Sequence, residues 1–391
     1  MKILVLGCGI QGKAILYDLS KSKEVKEVIC ADSNPENLGT FREFLDMKKI
    51  KVVKVDASDE SALTYLMRQA VDVVIEVLPP QFMKKVFEAA IEAGVHVVNT
   101  MYGYGVRHLH EAAIQKGISM MPECGLDPGI DLVIYGHGVK EFDEIHVLNS
   151  YCGGLPERSA CDNPLNYKIS WNWHAVLLSQ KRGAVFLKDG RKVTVPPSRQ
   201  HDNKMIHEID YPGLGRLEAF PNGNAVFFTD LLGITKTLKE TGRYSLRWPG
   251  WCAFWRPLVK LNFLSDEPLP GLPCEISPHQ WMVKLMEPQL QYKPNEKDLA
   301  VMRNVLAGVK DGKKKRMTCD ILIERDLKTG LFAMSLGVGY AASITAQMIG
   351  KGEIQKRGIL SPVTDIPYDA FMKGLMERGI KIEEKIETGG A

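Results

Sequence analysis

Residues 2–12 read KILVLGCGIQG, and no other stretch restricts the fold as much. A four-residue apolar run, ILVL, leads into Gly7, Gly9 and Gly12 at G-x-G-x-x-G spacing, and Lys13-Ala14-Ile15 opens a helical stretch. The first glycine permits a tight turn, the second lets the backbone approach a pyrophosphate, and the third lets the helix pack closely on the strand. The amides at such a helix start, here around Ile10 and Gln11, face an anion.

Twenty residues past Gly12, Asp32 closes the next apolar run, with Ser33 beside it. A carboxylate there accepts hydrogen bonds from the ribose hydroxyls of NAD and repels the 2′-phosphate of NADP. The nearest basic residue downstream is Arg42, so the sequence leads to NAD in preference to NADP. Asp32 could instead cap a helix, a role that Ser33 and Asn34 before Pro35 would fill equally well.

Six runs rich in Val and Ile alternate with segments of helical spacing: KILVL (2–6), EVIC (27–30), KVVKV (51–55), DVVIEVL (72–78), VHVVN (95–99) and ISMM (118–121). Such alternation predicts a parallel sheet with right-handed crossovers, a Rossmann-type doubly wound α/β fold. Ligands of these sheets bind beyond the carboxyl ends of the strands. Asp56 and Ala57 are therefore expected beside the adenine, and Leu78 and Pro79 where ribose and nicotinamide pass. Thr100, Gly125 and Leu126 complete the expected cofactor contacts.

Beyond residue 143 the texture changes. AVFLKDGRKVTVP (184–196) reads as a hairpin turning at Asp189-Gly190, and GRLEAFPNGNAVFF (215–228) as an extended pair about Asn222-Gly223. CDILIERDLKTGLFAMSL (319–336) reads as a further hairpin, ahead of a helix through YAASITAQMIGKG. The expected organisation is a dinucleotide-binding domain over 1–130 plus about 335–365, with a second α+β domain for substrate and dimerisation over 131–334.

Lys and Arg total 50 against 47 acids, and a formal charge of +3 offers no attraction for nucleic acid or an anionic membrane. No run of about 18 apolar residues occurs and no charged-then-apolar leader precedes KILVLG, which leads to the cytoplasm with no membrane partner. The eight cysteines show neither a C-x-x-C pair nor zinc-finger spacing, so no metal site is expected.

PECGLDPGID (122–131) cannot be a plain helix or strand, because Pro128 lacks an N–H and biases Asp127 away from helical backbone. Following the sixth run, it forms a turn at the same carboxyl edge and can aim the Asp127 carboxylate at a substrate. Asp127 could equally cap a helix starting at Pro128.

VVNTMYG, CGLDPGID, SYCGGLPE, DNPLNYKISWN, EAFPNG, LRWPG and GYAASITAQMIGKGEI together resemble the saccharopine dehydrogenase family, in order and spacing, across essentially the whole chain. The resemblance is to the glutamate-forming saccharopine reductases and the related lysine 6-dehydrogenases. It implies a nicotinamide-dependent oxidoreductase acting on a carbon–nitrogen bond of a lysine-derived amino acid, with Tyr102, Asp127 and Cys152 around the reacting centre. All three side chains can move protons, as amine oxidation requires. Cys152 could also be a small buried residue beside two glycines.

Substrate carboxylates call for cations, and Lys168 and Arg247 are the candidates, with Arg158 and Arg243 behind them. Tyr102, Gly153 and Asn222 complete the expected substrate contacts. RWPGWCAFW (247–255) reads as packing or a dimer contact, and a homodimer is expected. One position departs from the glutamate-forming pattern: Gly223 stands where an Arg follows the Pro-Asn of that turn. The leading expectation is oxidation of saccharopine to glutamate and 2-aminoadipate 6-semialdehyde. The alternatives are oxidative deamination of the lysine ε-amine, and a non-catalytic dinucleotide sensor.

Overall fold

The computed structural model describes residues 1–271 and 274–389. The chain divides into two compact units, Met1–His137 with Ser335–Lys381, and Gly138–Met334 with the residues from Ile382 onward.

In the first unit the six expected strands form: β1 (Lys2–Leu6), β2 (Glu27–Asp32), β3 (Ile50–Lys54), β4 (Val73–Glu76), β5 (His96–Asn99) and β6 (Ser119–Met121). They pair in parallel in the order β6-β5-β4-β1-β2-β3, and Gly358–Ile359 adds a seventh strand outside β6. The order reverses between β4 and β1, which opens the crevice where dinucleotides bind in doubly wound sheets. Helices α1 (Ile10–Lys21), α2 (Glu60–Met67), α3 (Met83–Ala93) and α4 (His110–Gln115) connect the strands. The Asp59 side chain caps α2 through the Ser61 and Ala62 amides, and Gly94, at φ +74°, ends α3 in the left-handed conformation.

The core beneath this sheet is built from Leu4, Leu6, Ile29, Val74 and Val97 against Leu63, Met67, Val86 and Phe87. The helix Ala333–Gly350 packs on α1, where a Cβ on Gly339 would lie 2.8 Å from the Ala14 Cβ. Asp18 of α1 fastens the later segments by accepting from Ser343 Oγ at 2.6 Å and from Arg378 Nε at 2.6 Å.

The second unit is a mixed sheet. Its strands are β7 (Glu144–Pro156), β8 (Ala184–Lys188), β9 (Arg191–Val195), β10 (His207–Tyr211), β11 (Gly215–Pro221), β12 (Gly223–Asn224), β13 (Glu240–Arg247), β14 (Asp298–Lys310) and β15 (Lys313–Glu324). The main order is β10-β11-β13-β7-β14-β15 with Glu383–Gly389 at the edge, and β8 and β9 form the expected hairpin through Asp189 and Gly190, both at positive φ.

Two expected pairings differ. Residues after β12 form the helix Ala225–Leu231, because the Asn224 side chain accepts from the Phe227 N–H and starts a helix there. The second arm of the 319–336 hairpin is the start of Ala333–Gly350: Asp298 caps it by accepting from the Ala333 N–H at 2.9 Å. The aromatic cluster is core, with Trp248, Trp251 and Trp255 buried and the indoles of Trp248 and Trp251 bonded to the Pro156 carbonyl and Gln180.

Candidate active site

At the first turn Gly7 has φ +102°, and a Cβ on Gly12 would lie 2.0 Å from the Gly7 carbonyl oxygen. A Cβ on Gly9 would enter open space, leaving the backbone beside Ile10 and Gln11 accessible. This cradle fits a dinucleotide pyrophosphate. Asp56 lies after β3, where its carboxylate accepts from the Ser58 amide and hydroxyl, bonds that hold it below the usual carboxylate range. Ala57 is buried, while Leu78, half-buried, and Pro79, exposed, follow β4.

Thr100 and Gly125 meet at the neighbouring edge, where a Cβ on Gly125 would be 3.4 Å from the Thr100 carbonyl oxygen. Buried Leu126 leads to half-buried Asp127, which is joined to Pro128 by a cis peptide bond. The helix α5 (Ile130–Gly138) starts two residues beyond Pro128, and the Gly129 N–H donates to Asp131 at 2.8 Å. Tyr102 stacks on Tyr104 with centroids 5.3 Å apart, in the turn after β5. The first unit thus gathers the glycine loop, Asp32, Asp56, Leu78, Thr100, Tyr102 and Asp127 at one edge of one sheet.

Three residues of that edge escaped sequence reasoning. Glu76 and Asn99 end β4 and β5 as register partners and hydrogen-bond side chain to side chain, both fully buried. Burial pushes the Glu76 carboxyl up to about 7. Glu123, in the same decapeptide as Asp127, is also fully buried, and burial raises its carboxyl against the opposing pull of Arg107. An acid closing an all-apolar strand, as in VVIE, was the available signal for Glu76.

In the second unit, Cys152 and Gly153 lie in the middle of the sheet. Ser245 of β13 is the register partner of Cys152, so Arg247, two residues on, shares the Cys152 face. The strands press close: a Cβ on Gly153 would lie 2.2 Å from the Leu246 carbonyl oxygen. Arg247 is 5% exposed, donates one bond to the Leu246 carbonyl and sits over the rings of Tyr167 and Trp251. Among the described residues no carboxylate pairs with it, its Nε has no acceptor, and burial lowers its affinity for the proton.

Lys168 is buried too, yet its ammonium is already held by Asp162 at 3.0 Å and Glu296 at 2.7 Å. Arg158 is engaged with the Trp248 ring and Arg243 with that of Phe228. Asn222 accepts from Arg182 at 3.3 Å, which brings an unanticipated guanidinium to the turn that holds Gly223.

Comparison with known proteins gives this arrangement a family. The model of the saccharopine dehydrogenase NADP binding domain matches residues 3–121, and that of the saccharopine dehydrogenase C-terminal domain matches residues 125–380. The chain belongs to the saccharopine dehydrogenase family. It is 26% identical to saccharopine dehydrogenase [NADP(+), L-glutamate-forming] of Saccharomyces cerevisiae, over 98% of both chains. It is also 26% identical to the mitochondrial alpha-aminoadipic semialdehyde synthase of Mus musculus, of which it spans 47%. The solved structure of the L-Glu-forming yeast saccharopine dehydrogenase, in its apo form, superposes with a TM-score of 0.83 at 25% identity, covering 99% of each chain.

The family membership makes the chain an oxidoreductase of amino-acid metabolism and corrects the expected cofactor. NAD is not preferred: the matched dinucleotide domain of the saccharopine dehydrogenase family is an NADP binding domain, and the yeast relative carries NADP(+) in its name. The expectation of NAD rests on Asp32, and that carboxylate has backbone partners of its own. Its Oδ2 accepts from the Cys8 amide at 2.7 Å and its Oδ1 from the Asn34 amide at 2.8 Å, so the carboxylate ties the glycine loop to the loop after β2. An acid at this position in the sequence cannot be told apart from a ribose ligand.

No helix among the described residues is long and apolar enough to cross a membrane.

Proposed function

We propose that the chain interconverts saccharopine with glutamate and 2-aminoadipate 6-semialdehyde, using NADP. Arg247 carries the reading: a buried guanidinium without a carboxylate partner among the described residues, on the same sheet face as Cys152. An isolated buried cation is costly, and a substrate carboxylate is the counter-ion that removes the cost. NADP, when bound, exchanges a hydride with the carbon beside the substrate nitrogen.

Tyr102 and Asp127 are the proposed proton-handling groups. Oxidation needs the amine neutral, the iminium that follows must add water, and a carboxylate beside it stabilises the positive charge. Cys152 lies with Arg247 on the substrate side of this scheme. Arg182, bonded to Asn222, offers a cation for the additional carboxylates of the glutamate half and answers the missing Arg at 223.

Gly223 itself favours the second reading, oxidative deamination of lysine, because lysine has no glutamate half to hold. Measuring kcat/KM for saccharopine and for lysine with NADP separates the two. Turnover of saccharopine without ammonia release supports the first reading, and ammonia from lysine with saccharopine inert reverses it. A homodimer in the cytoplasm remains part of the proposal; light scattering of the purified chain checks the oligomeric state, and cell fractionation the compartment.

A further inference from the structure

The backbone on both sides of Tyr102 is held by buried side chains. The Met101 N–H donates to Asn99 Oδ1 at 2.6 Å, and the Gly103 N–H donates to Glu123 Oε1 at 3.0 Å. Glu123 Oε2 accepts from Arg107 Nη2 at 3.1 Å and from Ser361 Oγ at 3.2 Å, while Arg107 Nη1 reaches the Leu360 carbonyl at 3.0 Å. The Glu123 N–H closes the loop by donating to the Met101 carbonyl at 2.9 Å.

This one carboxylate therefore joins the turn after β5, the turn after β6 and the strand end at Leu360–Ser361. The join has two costs. Glu123 is 0% exposed, and its φ of +68° lies in the left-handed region that non-glycine residues avoid. The fit is also tight, since a Cβ on Gly103 would lie 2.5 Å from the Pro122 ring. Burial and backbone strain concentrated beside a reacting group are a mark of pre-organisation.

We propose that Glu123 is a positioning residue whose carboxylate locks the Tyr102 turn onto the turn that bears Asp127, and so fixes where the Tyr102 ring stands. This rests on the reading of Tyr102 as a proton-handling group.

Glu123→Gln keeps an acceptor for Gly103 but loses the charge that grips Arg107. It is expected to lower kcat on saccharopine about 10- to 100-fold while KM and the Kd for NADP move less than about 3-fold. In a Tyr102→Phe background the same change is expected to cost less than about 3-fold, because residues acting through one another are not additive. An equal loss in both backgrounds, or none in either, overturns the proposal.

Ser361→Ala removes one donor from the same carboxylate and serves if Glu123→Gln does not fold. Its loss of about 3-fold is expected to vanish with Tyr102→Phe, and persistence there counts against the proposal. If the wild-type chain oxidises neither saccharopine nor lysine, the functional reading fails by itself. Nitration of Tyr102 by tetranitromethane, mapped by mass spectrometry, then decides: faster labelling in Glu123→Gln supports the lock, and an unchanged rate overturns it.

Discussion

The Glu76 carboxylate and the Asn99 amide hydrogen-bond across the ends of two adjacent parallel strands, out of reach of solvent. Glu76 also accepts from the Leu78 N–H at 2.9 Å, and Asn99 holds the Met101 N–H, so the pair sets the start of two turns at the carboxyl edge. A pair in this place couples the shape of the site to the protonation of one acid.

Stability should therefore depend on Glu76 in a defined pH window. With its carboxyl raised to about 7 in the fold and near about 4.3 in the unfolded chain, the folded state retains a proton between these values that the unfolded state releases. The contribution of Glu76 to stability is full below the lower value and declines as pH rises to the upper, by about 4 kcal/mol. Urea midpoints across this range should fall less steeply in Glu76→Gln than in the wild type. Parallel slopes would show that Glu76 does not titrate there.

Arg247→Met should separate function from stability. Losing the charge partner of a substrate carboxylate should cost about 2 to 4 kcal/mol in kcat/KM on saccharopine. Removing a buried cation that has no counter-ion among the described residues should leave the thermal midpoint unchanged or higher. A large fall in the midpoint with normal kinetics would make Arg247 a structural residue.

Lys168→Met should do the reverse. Asp162 and Glu296 lose a shared cation, with exposed Lys293 left at 3.1 and 3.4 Å from them, and denaturant titration should register a loss of about 2 kcal/mol. Intact stability combined with a large rise in the KM for saccharopine would return Lys168 to the substrate.

Asp32→Ala leaves the Cys8 and Asn34 amides without an acceptor and should weaken NADP binding about 10-fold, the worth of roughly one or two hydrogen bonds. Asp32→Asn discards the negative charge and keeps one of the two acceptors, so its loss of affinity should be smaller than that of Asp32→Ala, about 3-fold. Equal weakening by both changes would mean that the charge, and not the tie, matters.

Sequence reading reached the first sheet because its signals are local. KILVL, the glycine spacing and the Val- and Ile-rich runs each state their own structure within a few residues. It failed where a distant residue decides: the start of Ala333–Gly350 is set by Asp298, and the partners of Glu123 include Ser361. Lys168 and Arg247 look alike as isolated cations, and only the fold distinguishes the one held by two acids from the one held by none among the described residues. Asp32 shows a further limit, since its place at the end of β2 is a local signal while the amides that bond its oxygens belong to backbone, which sequence does not display.

The seventh strand of the first sheet, Gly358–Ile359, comes from the far side of the intervening unit, and this constrains the order of events during synthesis. The Gly358 and Leu360 amides supply the bonds that complete the edge of β6, through the Ile118 and Met120 carbonyls. A ribosome adding roughly 5 to 20 residues per second takes about 10 to 40 s to pass from His137 to Ser335. Throughout that interval β6 is an unpaired edge of the kind that invites pairing with other chains. Glu123 meanwhile waits for Ser361, so that bond forms only after the whole intervening unit has been made.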